Sequence, residues 1–160
     1  MTNKIVDDGD NVRGLGFVTM YSAWVEEDVD DILRLLSPIQ TFDEKVQRWP
    51  ISRKLEHAAQ IVERLESEEL KELPTALRAG LSLFDERNTV VHGRIFAGFD
   101  KKIYVQSGRP NIPTREVTSS ELYDLANEFM DYRGHLIGPQ VFRLPRAIST
   151  VLKEPSEGQT

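Results

Sequence analysis

The segment Leu73–Val91 constrains this chain most. Its apolar residues recur at helical spacing, which predicts a long amphipathic helix. Take Arg87 as the origin and advance about 100° per residue. Ala76, Gly80, Phe84 and Val91 then fall within about 60° of it, with Leu73 and Leu77 close by. Arg87 therefore lies in the middle of the stripe that has to pack. A guanidinium is almost never fully buried unless something pairs with it. Asn88 and His92 share one flank of the stripe, a single helical step apart. Gly93 follows and is expected to stop the helix. A helix that ends in a cation, an amide and an imidazole on its packing side requires an account.

Two accounts stand open at this level. In one, Arg87 pairs with a core acid and His92 caps backbone carbonyls at the helix end, so both are structural. In the other, they form a site for an anion. In a chain of this composition, chance alone would give the spacing Arg-Asn-x-x-x-His roughly 0.008 times, low enough to treat it as a motif.

The charge pattern bears on the same stretch. The chain carries a net charge of -6, which argues against broad nucleic-acid affinity. From Arg87 to Arg115, however, Arg87, Arg94, Lys101, Lys102, Arg109 and Arg115 face one acid, Asp100. Either this is a solvated basic loop, or it is a phosphate-attracting rim beside His92.

The rest of the chain reads as helices. Residues 1–13 are polar and are expected to be a flexible start. From Gly14 or Gly16 to Leu36, the residues Val18, Val25, Val29, Ile32, Leu33 and Leu36 follow helical spacing, and Ser37-Pro38 ends the run. Thr41-Phe42-Asp43-Glu44 has the capping-box pattern for a short segment through Val46 and Trp49. Ser52 is the expected cap of the next helix, running to about Leu65. An acidic linker, Glu66 to Glu72, precedes Pro74, which suits the first turn of the central helix. After Gly93 the period changes. Arg94 to Gly98 and Lys101 to Gln106 predict a small β-hairpin, and Ser107 to Pro113 a loop. Thr118-Ser119-Ser120-Glu121 is a second capping box, opening a helix that stops at Gly138-Pro139. Val141 to Leu152 can hold a last short helix, and 153–160 read as a disordered tail. The expected architecture is all-α. It is a four- to five-helix bundle over 14–152 with a hairpin inserted before the last long helix.

Several function classes find no support. There is no cysteine, so neither a disulfide framework nor a thiolate zinc site can form. Met1 to Asn11 has one lysine, three aspartates and no apolar core, unlike a secretory leader. No run approaches the ~18 apolar residues that a membrane helix needs. The expected setting is the cytoplasm, without membrane contact. There is no phosphate-cradling glycine loop and no G-x-S-x-G elbow. His57 and His135 lack a second ligand at metal spacing. Asp28 with Asp31, or Asp85 with Glu86, could start a divalent-metal site. They lack a third ligand, so they read as solvated acids or as partners for Arg87. Trp24, Trp49, Phe84 and Phe129 read as core or interface aromatics. No metal and no cofactor is expected.

Arg87-Asn88-x-x-x-His92-Gly93 at the end of a bundle helix resembles the signature of the HEPN superfamily. These are small helical domains of toxins, phage-defence systems and RNA-processing enzymes. Their motif is an arginine, usually a polar residue, three variable residues and a histidine. The resemblance covers roughly residues 14–138, and its specific part is Arg87, Asn88 and His92. It implies a HEPN-like bundle that acts as a metal-independent endoribonuclease. Two copies would join so that two Arg87 and two His92 share one cleft. His92 would be general base or acid, Arg87 would hold the phosphate, and Asn88 would orient one or the other. Arg94, Lys101, Lys102 and Arg109 would guide the RNA. An inhibitory protein is a further partner that such a module implies. The alternative is a non-catalytic domain of the same kind, binding nucleic acid or a partner protein. One departure is plain. Members that work with nucleotidyltransferases carry a tyrosine two places after the histidine, where this chain has Arg94.

Overall fold

Helices dominate the computed structural model, which describes residues 4–153. Five of them have ten residues or more: α1 (Asn11–Leu35), α3 (Ile51–Arg64), α4 (Leu73–Val91), α5 (Ser119–Gly138) and α6 (Leu144–Lys153). A single-turn helix, α2 (Glu44–Gln47), precedes α3. Between α4 and α5 runs an antiparallel sheet of β1 (Arg94–Ala97), β2 (Ile103–Gln106) and β3 (Arg115–Glu116), in that order. Among the described residues, no helix is long and apolar enough to cross a membrane.

Local chemistry explains most boundaries and corrects a few expectations. α1 starts at Asn11, ahead of Gly14, because Asp10 caps it by accepting the N–H groups of Val12 and Arg13. Asp43, not Thr41, caps α2, through the N–H of Val46 at 2.9 Å. α3 opens behind Pro50 with no side-chain cap, so Ser52 lies inside its first turn. The acidic linker contains a 3-10 turn, Glu68–Leu70, which buries Leu70. Thr118 caps α5 as the sequence implies, accepting the Glu121 N–H at 3.2 Å. Gly138-Pro139 does not break the chain. Gly138 stays right-handed helical, and a π-helical turn, Pro139–Arg143, leads into α6. The sheet has a third strand beyond the expected hairpin. β3 is two residues long, too short to show a period of two in the sequence. Of the tail expected at 153–160, Lys153 belongs to α6, and 154–160 lie outside the described residues.

The backbone contacts form two compact units. One unit is Met1–Val25 with Ser82–Tyr132. The other is Glu26–Leu81 with Arg133–Thr160.

In the first unit, α5 supplies much of the core with Leu122, Tyr123, Ala126 and Phe129, beside Val18, Val25, Phe84 and Val90. Phe84 and Phe129 meet edge to face, with centroids 5.1 Å apart. Gly14 allows α1 to lie close to α5. A Cβ there would come within 3.0 Å of Leu122 and Tyr123. Residues 4–10, read as a loose start, are tied to α5. The Ile5 N–H donates to Asn127 Oδ1 at 2.8 Å, and the Asn127 amide donates back to the Ile5 carbonyl. The Tyr123 hydroxyl donates to Asp8 at 2.6 Å. Burial, and then that bond, push the Tyr123 hydroxyl up to about 12.

In the second unit, Ile32, Leu33 and Leu36 of α1, Leu55, Ile61 and Val62 of α3, Leu73 and Leu77 of α4, and Leu144 and Ile148 of α6 are buried. Arg78 is gripped by two carboxylates. Its Nε and Nη2 donate to Glu56 at 3.0 Å, and Nη2 also reaches Glu63 at 3.1 Å. Asp28 accepts from Arg133 Nε at 2.7 Å, and Asp31 pairs with Arg34. Asp28 and Asp31, one of the two acidic pairs weighed above as metal ligands, are thus held by arginines. No cluster of three or more potential metal ligands occurs among the described residues.

Candidate functional site

The site is built at the C-terminal end of α4. The helix closes at Val91, and the His92 N–H still donates to the Asn88 carbonyl at 3.2 Å, so His92 keeps its helical position one residue past the end. Gly93 then turns the chain into β1. The helix stops ahead of it as expected, though without a left-handed residue at Gly93. Among the described glycines only Gly9 has a positive φ. What Gly93 provides is room. A Cβ there would lie 2.4 Å from the Thr89 carbonyl oxygen and 2.5 Å from Val105 Cγ2. Glycine lets β2 close onto the end of α4, which fixes His92 between helix and sheet.

The three motif side chains converge. Arg87 Nη1 donates to Asn88 Oδ1 at 3.0 Å and faces His92 Nε2 at 3.4 Å. Arg87 Nε donates to Ser22 Oγ at 3.2 Å, and Ser22 in turn donates to the Thr19 carbonyl. The Phe84 ring lies 5.9 Å from the guanidinium carbon. Arg87 and Asn88 are half-buried, while His92 is exposed. A guanidinium has only donors, so a hydrogen bond in this contact requires Nε2 as its acceptor. At 3.4 Å the contact is long for a hydrogen bond, and an oxyanion entering beside it can take the guanidinium.

The cluster opens into a cleft of about 360 Å³ lined by Asn88, His92, Ser107, Gly108 and Arg109. The loop after β2 forms one wall. It brings Arg109 to the mouth, where Nη1 pairs with Asp85 at 2.6 Å. Asp85, weighed above as a metal ligand or as a partner for Arg87, is therefore bound to Arg109. Of the residues expected to guide RNA, Arg109 alone lines this cleft. Arg94 lies on the sheet, its guanidinium 6.0 Å from the Phe96 ring. Lys101 occupies the left-handed position of the hairpin turn, with φ of 65°. Lys102 pairs with Glu116 at 2.9 Å. The Tyr104 hydroxyl and the Lys102 backbone N–H both donate to Asp100, and they hold that carboxyl below its ordinary range.

The other histidines lie elsewhere. His57 is half-buried edge-on against Trp49, with centroids 5.1 Å apart. Burial first, then Arg64 and Arg53, push its pKa down. His135 is exposed on α5.

Sequence reasoning missed Ser22. The signal was there: Val18, Ser22, Val25 and Val29 share one helical stripe of α1, and Ser22 is its only hydroxyl. The side chain is fully buried, and a buried hydroxyl in such a stripe needs a partner. It also missed Asp85 as the partner of Arg109, because their ion pair spans a loop whose path no periodicity encodes.

Comparison of the chain with family models, with curated proteins and with solved structures finds no match. Motif spacing and geometry therefore carry the functional reading.

Proposed function

We propose that this protein is a metal-independent endoribonuclease of the HEPN type, a toxin or defence module that cuts RNA in a site shared by two copies of the chain. The observation that carries this reading is the approach of Arg87 Nη1 to His92 Nε2 beside Asn88, at the mouth of an open cleft. A cation fixed next to an imidazole is what phosphodiester cleavage requires. The guanidinium binds the phosphate and stabilises charge on its oxygens, and the imidazole transfers protons near neutral pH.

The reaction needs no further reagent. The ribose 2′-oxygen attacks phosphorus while a histidine takes its proton. The bond to the 5′-oxygen breaks, and that oxygen receives a proton from a second histidine. The products are a 2′,3′-cyclic phosphate and a 5′-hydroxyl. His92 of one copy serves as base and His92 of the partner subunit as acid. Asn88 holds the guanidinium of Arg87 in the plane that faces the phosphate. Ser22 fixes its other edge. The requirement for two copies is supported by apolar surface on α1 next to Ser22, where Met20 and Trp24 are 39% and 37% exposed.

A second reading has its own support. In the isolated chain Arg87 contacts His92, and Arg109 is held by Asp85. A domain that only binds nucleic acid or a partner protein could keep those contacts.

The deciding assay incubates the purified chain with single-stranded RNA in EDTA, beside His92→Ala and Arg87→Ala. Cleavage by the wild type that falls about 10²–10⁴-fold in His92→Ala supports the enzyme. Identical traces from all three refute it. Light scattering should show a dimer at micromolar concentration, and a strict monomer would contradict the shared site.

A further inference from the structure

The outer face of the sheet carries a feature that the cleft does not use. In the register of β1 and β2, Phe96 stands directly opposite Tyr104 and Arg94 opposite Gln106, and Tyr104 is opposite Glu116 of β3. Strand alternation therefore separates two faces. Ile95, Ile103 and Val105 point one way, and Val105 is buried. Arg94, Phe96, Tyr104 and Gln106 point the other way. The Phe96 and Tyr104 rings stack, with centroids 5.9 Å apart and planes inclined at 24°. Phe96 is 37% exposed, and at the hairpin tip Phe99 is wholly in water. Charged groups flank the rings: the Arg94 guanidinium lies beside Phe96, and Lys102 lies on the far side, paired with Glu116 at 2.9 Å, an ion pair that a phosphate would have to open or share.

Phe96, stacked on the half-buried Tyr104, and Phe99 beyond it leave apolar ring surface in water that a ligand can cover. A partner protein with an apolar surface would want aliphatic side chains around them. The outward positions of β1 and β2 at Arg94, Phe96, Tyr104 and Gln106 offer none. What rings bordered by ammonium and guanidinium groups complement is a base with its phosphates. Duplex fits poorly, since its bases already stack on one another and present only edges.

We propose that this outer sheet face is a docking platform for single-stranded RNA, with bases stacked on Phe96 and Tyr104 and phosphates held by Arg94 and Lys102. The inference rests on the ribonuclease reading only for the identity of the strand as RNA. Position supports it. Phe96 is four residues past His92, so their Cα atoms lie at most about 14 Å apart, within the span of a few nucleotides. The hydrogen bond from Tyr104 to Asp100 fixes the ring in place, which spares the bound state that ordering cost.

The test uses the full chain and an uncleavable probe, a fluorescent 2′-O-methyl oligonucleotide of about 12 nucleotides, a length typical of single-strand sites. Anisotropy should show binding to the single strand in preference to the same sequence as duplex. Phe96→Ala and Tyr104→Ala should each raise Kd about 10-fold, the usual loss on removing a stacking ring. Tyr104→Phe keeps the stacking ring and loses only the hydroxyl that anchors it, so its Kd should rise far less than that of Tyr104→Ala. Arg94→Gln, on an exposed side chain, should lower the salt slope of log K by about 0.7, as for one phosphate contact to a single strand. Equal affinity of wild type and ring variants, preference for duplex, or no binding by the wild type would each overturn the platform. Cleavage is read separately on a dinucleotide too short to reach the rings. Loss of that cleavage in His92→Ala with none in Phe96→Ala supports both readings. A wild type that cuts nothing yet shows the ring-dependent Kd defeats the nuclease reading and leaves the platform standing.

Discussion

Two aromatic pairs in the first unit have similar spacing and opposite settings. Phe84 and Phe129 are 1% and 0% exposed and meet edge to face. Phe96 and Tyr104 stack on the open face of the sheet. The buried pair uses its surface to hold α4 against α5. The open pair keeps its surface for something else. The same contrast separates the histidines. His57 is pressed against Trp49, whereas His92 stands exposed at a cleft. Aromatic content alone therefore says little about role, and solvent access decides it.

The largest stability effect should come from the buried pair. Phe129→Ala should cost about 3–5 kcal/mol, read from urea unfolding, because the cavity is enclosed. Phe96→Ala should change stability by less than about 0.5 kcal/mol, the range for surface substitutions. Comparable losses at both positions would erase the contrast.

Gly93→Ala comes next. A new Cβ would meet the Thr89 carbonyl oxygen and Val105, so helix end and sheet must separate. A loss of roughly 1–3 kcal/mol is expected, as for overpacking. Displacement of His92 should lower cleavage as well. A variant as stable and as active as the wild type would show that the close approach is unnecessary.

A smaller effect sharpens the contrast between the histidines. Burial and the cations Arg64 and Arg53 lower the pKa of His57, so the folded state favours its neutral form. That contribution is complete above the unfolded value of about 6.5 and is lost as pH falls from there through the lower folded value. Urea midpoints should therefore drop between pH 7.5 and pH 5.5, and His57→Gln should flatten that drop. An unchanged pH dependence in His57→Gln would remove His57 from the account.

Much of this was legible in the chain. The helical period placed α4 within a residue or two, and the capping pattern at Thr118 placed α5. The motif puts Asn88 and His92 on one flank because residues four apart are neighbours on a helix, whereas the reach of the Arg87 guanidinium to both is a matter of its side-chain conformation. Other features depend on contacts between distant segments. Ser22 reaches Arg87 from α1, Arg109 reaches Asp85 across a loop, and Tyr104 meets Phe96 through a register set by the turn at Lys101. The tying of residues 4–10 to α5 was hidden for the same reason. Asp7 and Asp8 belong to that polar start in the sequence, and only the structure shows Ser119 and Tyr123 donating to them.

The most direct measurement of the central claim follows cleavage at one bond. A single-stranded RNA and its copy carrying one 2′-deoxyribose are incubated in EDTA with wild type and with His92→Ala. The account predicts that the wild type cuts the RNA, leaves a 2′,3′-cyclic phosphate and spares the bond after the deoxyribose, while His92→Ala cuts about 10²–10⁴-fold more slowly. Cutting after the deoxyribose at the same rate, or undiminished cutting by His92→Ala, would contradict it.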